Sequence, residues 1–390
     1  MTLSTVEPRA FGLAASAKAE RAVPAWIPFW LWATAALVIL MVAVGGVTRL
    51  TGSGLSITQW RPISGALPPL SHTDWLAEFA RYQETSQAKL VNTGMSLEEF
   101  KQIFWWEWGH RQLGRFIGLF FAAGFLFGLA ARQFSWRLGL SLAGMGLLLG
   151  VQGGIGWIMV ASGLKSGMTA VEPLDLAAHL LFASLFLVTV VALATALGED
   201  GRIRPGVPAP AARLSKLILG VILLQLVLGA LVAGSHAGLL YNTWPDMDGR
   251  FAPPLRELLA VAPWWANPFE NLTLIQFDHR MLAYGVLVLA LGNAIIWWRA
   301  AEHPSLSAAG ASRQSAPTRL ALLLAGLVMA QVALGIATLL HAVPLGLALA
   351  HQLLAMFVLV AATRLAVLSR ERAVAAPAAS GPLAAHVATR

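Results

Sequence analysis

Four of the nine histidines, His110, His179, His279 and His351, form two pairs whose separations nearly repeat, 110 to 179 and 279 to 351. Each stands at the start of a long apolar run, so each falls in the first turns of its helix, at one level. An imidazole inside a bilayer requires a partner and points to function by default. Two imidazoles meeting across a helix bundle are the arrangement that holds a haem iron from both faces. A single such histidine is more often a helix-to-helix hydrogen bond, but four in a duplicated pattern favour haem. A zinc or copper site would need Asp, Glu or Cys at ligand spacing, and Glu107 alone accompanies the pairs. The chain contains no cysteine, which excludes disulfides, thiolate metal sites and iron-sulfur clusters and leaves any redox chemistry to a bound cofactor.

Neighbouring groups extend the pattern. Arg111 and Arg280 each follow a paired histidine and could meet haem propionates at the membrane interface, where a guanidinium pairs with carboxylate in a bidentate way; a snorkelling interfacial arginine is the plainer reading. Glu107 precedes His110 by one helical turn and shares its face, whereas Gln276 takes that place before His279. A carboxylate in one half and an amide in the other implies diverged halves, with proton transfer belonging to the first. His236 and His341 lie at outer helix ends without counterparts, and His72, His303 and His386 fall in polar segments. Trp105, Trp106, Trp108, Trp264 and Trp265 read as an interfacial aromatic belt, and Gly45-Gly46 and Gly153-Gly154 as close helix contacts.

The elements that carry these residues follow from composition. Of 390 residues 57% are hydrophobic and only 12% charged, with a mean hydropathy of +0.68, about half the charged fraction of a soluble chain. Apolar runs long enough to cross a bilayer lie at about 27–47, 113–131, 136–160, 175–197, 215–234, 274–298, 319–340 and 345–368. The expected fold is an all-α integral membrane protein of eight spans. Of the 27 Lys and Arg, the larger share falls at the termini and in alternate short loops. That bias puts both termini in the cytoplasm and the four histidines towards the outer face. The net charge of +8 is dispersed between apolar runs, so it does not indicate nucleic-acid binding.

Self-comparison shows a duplication. GSGLSITQWRPISG from Gly52 resembles HAGLLYNTWPDMDG from His236, aligning Gly54 with Gly238, Leu55 with Leu239, Trp60 with Trp244 and Gly65 with Gly249. His110-Arg111 then aligns with His279-Arg280, Gln152 and Gly156 with Gln331 and Gly335, and His179 with His351. A tandem repeat of four spans keeps one orientation, so two four-helix bundles related by a pseudo-two-fold axis along the membrane normal are expected. The expected divisions are a cytoplasmic tail over 1–26, a first bundle over 27–198 with a long outer loop at 48–105, a linker at 199–213, a second bundle over 214–370 and a tail over 371–390. The segments at 199–213 and 301–318 read as ordinary connectors. The outer loops at 48–105 and 235–272 are too apolar to be mere linkers.

The motifs GGVTRLTGSGLSITQWRPISGALPP, WEWGHRQLGR, QGGIGWIMVASGL, VAGSHAGLLYNTWPDMDG, ENLTLIQFDHR and LLHAVPLGLALAHQ occur in this order from about Val44 to Met356. Together they resemble the haem A synthase family in its proteobacterial and mitochondrial branch. The resemblance implies an eight-helix oxidoreductase of the bacterial inner membrane that oxidises the C8 methyl group of haem O to a formyl group, giving haem A for cytochrome oxidase. It implies that His110, His179, His279 and His351 ligate haem iron. The second-half pair would hold a resident haem b, the first-half pair would serve the haem O substrate, and Glu107 would be needed for catalysis. Haem O synthase, oxidase assembly factors and an electron-transfer partner are the implied contacts, besides membrane lipid. Some family members carry a cysteine pair in the first outer loop; this chain does not. Two other readings compete: a di-haem b-type electron carrier, which would normally set its haems at two depths, and a haem transporter or chaperone, which would not need Glu107.

Overall fold

The structure is a computed structural model that describes residues 23–198, 209–302 and 315–369. The expected cytoplasmic tails, most of the 199–213 and 301–318 connectors, and His303 and His386 lie outside the described residues. Among the described residues eight helices are long and apolar enough to cross a membrane. In chain order, α1 (Trp26–Leu50) is followed by an outer segment containing α2 (His72–Gln83) and α3 (Ser86–Leu90), then by α4 (Leu97–Ala130), α5 (Trp136–Gly163) and α6 (Pro173–Leu197). The chain continues with α7 (Ala209–Gly234), the short outer helices α8 (Leu255–Leu258) and α9 (Asn267–Glu270), and then α10 (Leu272–Glu302), α11 (Ala316–Leu340) and α12 (Leu345–Leu368).

Several spans reach beyond their apolar runs. The largest departure is α4, expected at 113–131 but beginning at Leu97. Ser96 and Glu99 form a capping box at its start, Ser96 Oγ accepting from Glu99 N at 3.3 Å and Glu99 Oε2 accepting from Ser96 N at 2.8 Å. The polar and aromatic stretch before His110 is therefore helical, and His110 lies more than three turns into its helix rather than in the first turns. Hydropathy did not register this because the stretch is polar: Glu99 pairs with Ser96, Lys101 with Glu98, and Glu107 accepts from Ser56 and Ile57 of the outer loop. Likewise α1 runs through Arg49, which caps a neighbour rather than facing an open loop. Residues 209–213, expected as connector, already belong to α7, and α10 continues through Glu302.

Each run of four spans packs as a ring. Helix α1 touches α4 and α6, and α5 touches α4 and α6; in the same pattern α7 touches α10 and α12, and α11 touches α10 and α12. The rings meet through α6 against α7 and α12, and α1 against α12. One difference stands out: α4 and α5 share much less contact than α10 and α11. The main apolar core, with Leu31, Phe186, Leu187, Trp297, Leu324 and Leu365 deeply buried, lies on the far side of the paired histidines from the outer loops. A second cluster of Tyr82, Ala88, Phe100 and Phe104 folds the first outer segment onto the start of α4, so that loop has a core of its own.

Candidate functional site

The four paired histidines project from α4, α6, α10 and α12 and are each partly buried. His110 and His179 lie within electrostatic range of one another, as do His279 and His351. The structure therefore brings the residues together in the pairs their spacing suggested. Each imidazole packs against a glycine on the preceding span. A methyl group added at Gly45 would stand 2.9 Å from His110 Nε2, at Gly156 2.8 Å from His179 Cε1, at Gly229 3.1 Å from His279 Cε1, and at Gly335 2.8 Å from His351 Cε1. No side chain larger than hydrogen fits at Gly45, Gly156 or Gly335 without displacing a ring.

Three of the rings are also clamped by an amide one turn before that glycine. Gln152, Gln225 and Gln331 each donate from Nε2 to the backbone carbonyl of their histidine, His179, His279 and His351, at 3.0 Å. The same nitrogens lie 3.1, 3.0 and 3.2 Å from the ring Nδ1 and 3.4, 3.5 and 3.3 Å from Nε2. Such similar distances put the amide over the ring face, since in the ring plane it would collide with Cε1. Gln152 and Gln331 were legible as a repeat; Gln225 was missed. The signal was present as a Gln-x-x-x-Gly pattern one span ahead of each of these histidines.

Glu107 and its neighbours bind the first outer loop to α4. The Glu107 side chain is buried, and its Oε2 accepts from Ser56 Oγ and from Ile57 N, both at 2.7 Å, while Oε1 accepts from Arg111 Nη2 at 2.6 Å. Arg111 also donates to the carbonyls of Ile57 at 2.9 Å and Gln59 at 3.3 Å. In the second half Arg280 donates to the carbonyls of Tyr241 at 2.8 Å, Thr243 at 3.0 Å and Asp246 at 2.9 Å, and Gln276 donates to Tyr241 O at 3.1 Å. Both arginines hold the outer loops by backbone carbonyls, an arrangement the expectation of propionate partners did not include. His72, His236 and His341 are exposed and take no part in either pair; His341 Nδ1 lies 2.8 Å from the Ala337 carbonyl.

The residues fit a haem iron. Among the described residues no three His, Asp or Glu side chains gather as a metal-binding set, whereas two imidazoles facing each other in an apolar bundle suffice for haem. The three clamped rings set Cε1 closest to their glycines with Nδ1 next, and in His179 and His351 Nε2 lies 3.7 and 3.6 Å from a methyl group placed there. The amide oxygens of Gln152, Gln225 and Gln331, all buried, have no hydrogen-bond partner beside these rings.

The family model described as cytochrome oxidase assembly protein matches residues 28–363. A haem A synthase of Methylobacterium radiotolerans is 55% identical over 360 residues, covering 90% of this chain and 92% of the relative. Those of Methylorubrum populi and Brucella ovis are 48% and 45% identical, covering 99% and 85% of this chain and 97% and 88% of theirs. With eight spanning helices, two imidazole pairs and a match across most of its length, the chain belongs to the cytochrome oxidase assembly protein family.

Proposed function

We propose that this protein is a membrane oxidoreductase that converts the C8 methyl group of haem O to a formyl group, forming haem A for cytochrome oxidase. The observation that carries the reading is the inequality of two otherwise matching sites: a buried carboxylate, Glu107, beside His110, and an amide, Gln276, beside His279. A haem transporter would not need that carboxylate, and an electron carrier would normally set its haems at two depths.

In this reading the first four spans hold the haem O substrate between His110 and His179. The last four hold a resident haem b between His279 and His351, and that haem supplies electron-transfer chemistry when bound. The halves are tandem copies about an axis normal to the membrane, which the repeated helix contacts support. Glu107 stands one turn from His110 and can take a proton at Oε1 or Oε2, while Arg111, Ser56 and Ile57 fix its position. Arg111 and Arg280 hold the outer loops over the sites and would face the propionates. The thin contact between α4 and α5 offers a lipophilic substrate a way in from the bilayer. The distribution of Lys and Arg supports both termini in the cytoplasm, and the likeness to bacterial haem A synthases supports a place in the bacterial inner membrane. An electron-transfer partner, haem O synthase and oxidase assembly factors would meet the protein there.

The test is extraction and chromatography of the haems from wild type and Glu107→Gln, both expressed in cells that make haem O. Wild type should yield haem b with haem A or a hydroxylated haem O, and the variant unconverted haem O. Two equivalents of haem b in both proteins would replace this reading with a di-haem carrier.

A further inference from the structure

We propose that Met41 makes His110 the exchangeable imidazole of the first site, the one ligand of four that can swing away to open a coordination position. The proposal rests on the haem-ligand reading above and names which ligand moves. Met41 precedes Gly45 by four residues, as Gln152, Gln225 and Gln331 precede Gly156, Gly229 and Gly335. Three spans thus carry Gln-x-x-x-Gly and α1 carries Met-x-x-x-Gly, with Met41 where α7 has Gln225. A thioether donates no hydrogen bond, so it cannot reproduce the amide clamp.

The ring responds to that difference. In the three clamped histidines the atoms nearest the glycine are Cε1 and then Nδ1. In His110 they are Nε2, at 2.9 Å from a methyl group placed on Gly45, and then Cδ2, at 3.3 Å. The unclamped imidazole is therefore turned differently, with Nε2 in place of Cε1 closest to α1, whereas Nε2 of His179 and of His351 stands 3.7 and 3.6 Å from the corresponding methyl position. Among the described residues no hydrogen bond reaches its ring. The Met41 methyl group lies 3.3 Å from where a Cβ on Gly114 would stand, so its side chain runs along the α4 face one turn beyond His110.

The backbone behind this ring is fixed. Gln352 of α12 donates to the Val42 carbonyl at 2.7 Å and packs onto Gly46, where an added methyl group would meet its Nε2 at 2.7 Å. The freedom lies in the His110 side chain and not in α1. An iron held by two fixed imidazoles has no place for a further ligand, whereas one held by His179 and a releasable His110 has one on demand.

The experiment is carbon monoxide titration of the dithionite-reduced full-length protein, read as an absorbance difference spectrum, for wild type, Met41→Gln, Met41→Leu and Gln225→Met. The haems in each preparation are counted by extraction. Wild type should bind carbon monoxide at one haem. Met41→Gln should raise the half-saturating concentration about fivefold, the factor that corresponds to one hydrogen bond of about 1 kcal/mol. Met41→Leu should titrate like wild type, and Gln225→Met should open a second site. If Met41→Gln titrates like wild type, or if Met41→Leu shifts as far as Met41→Gln, the missing clamp is not what frees the ligand. His110→Ala separates the two levels of the argument: if it keeps both haems and an unchanged low-spin spectrum, the ligand reading itself fails.

Discussion

Arg111 in the first half and Arg280 in the second each bridge two loop carbonyls two residues apart, Ile57 and Gln59 in one, Tyr241 and Thr243 in the other. Around that shared frame the chemistry differs at two points. Glu107 accepts from Ser56, Ile57 and Arg111, whereas Gln276 donates to Tyr241 and leaves its own oxygen buried and unpaired. Gln225 clamps His279, whereas Met41 stands unbonded before His110. The difference teaches that two copies of one scaffold are specialised by single side chains at fixed places, with the backbone frame left unchanged. The half with the carboxylate and the unclamped His110 is also the half whose helices α4 and α5 are less closely packed.

Removing the chemical difference should have the largest effect. Glu107→Gln makes the first half resemble the second and should lower formation of the oxidised haem by roughly a hundredfold to ten-thousandfold, the usual worth of a positioned acid-base group, with haem content retained. Gln276→Glu should leave turnover within a few-fold of wild type, measured in the same product assay; an equal loss in both variants would mean the carboxylate acts only on folding.

Crowding the rings should come next. Gly156→Ala and Gly335→Ala place a methyl group 2.8 Å from His179 and His351, an overpacking that typically destabilises by about 1–3 kcal/mol. Each should lower haem content of its own half, read by extraction and by the low-spin absorbance. Gly153→Ala and Gly154→Ala on the same helix as Gly156 meet nothing within 4 Å and should leave haem content unchanged.

Loosening the loops should act least and more evenly. Arg280→Lys cannot bridge the carbonyls of Tyr241, Thr243 and Asp246 together and should destabilise the protein by about 1 kcal/mol, because part-buried hydrogen bonds are lost. Arg111→Lys should lower thermal stability similarly but also reduce turnover, since it disturbs Glu107. Loss of turnover in Arg280→Lys as large as in Arg111→Lys would erase the distinction between the halves.

Much of this was legible in the chain. Twenty-residue apolar runs can only be spans, because a bilayer leaves no other way to satisfy backbone hydrogen bonds, and repeated histidines within them stand out against the rarity of ionisable groups there. The exchange of Glu107 for Gln276 is a local comparison and needed no coordinates. The start of α4 at Leu97 was hidden because its polar residues, Glu99 paired with Ser96 and Lys101 with Glu98, break the apolar run, and the tie of Arg111 to Ile57 reaches a loop some fifty positions away. Hydropathy sees none of that. Gln225 was overlooked because a single polar residue in an apolar helix reads the same whether it clamps an imidazole or faces a neighbour.

The sequence by itself determined the number of spans, the duplication, the four imidazoles and the unequal acid, since each depends on residue type and on spacing along one chain. Only the tertiary structure decided which helix supports each ring, which way His110 is turned, and how loosely α4 meets α5. Those depend on contacts between segments far apart in the chain, where packing and hydrogen bonding, not local preference, set the geometry.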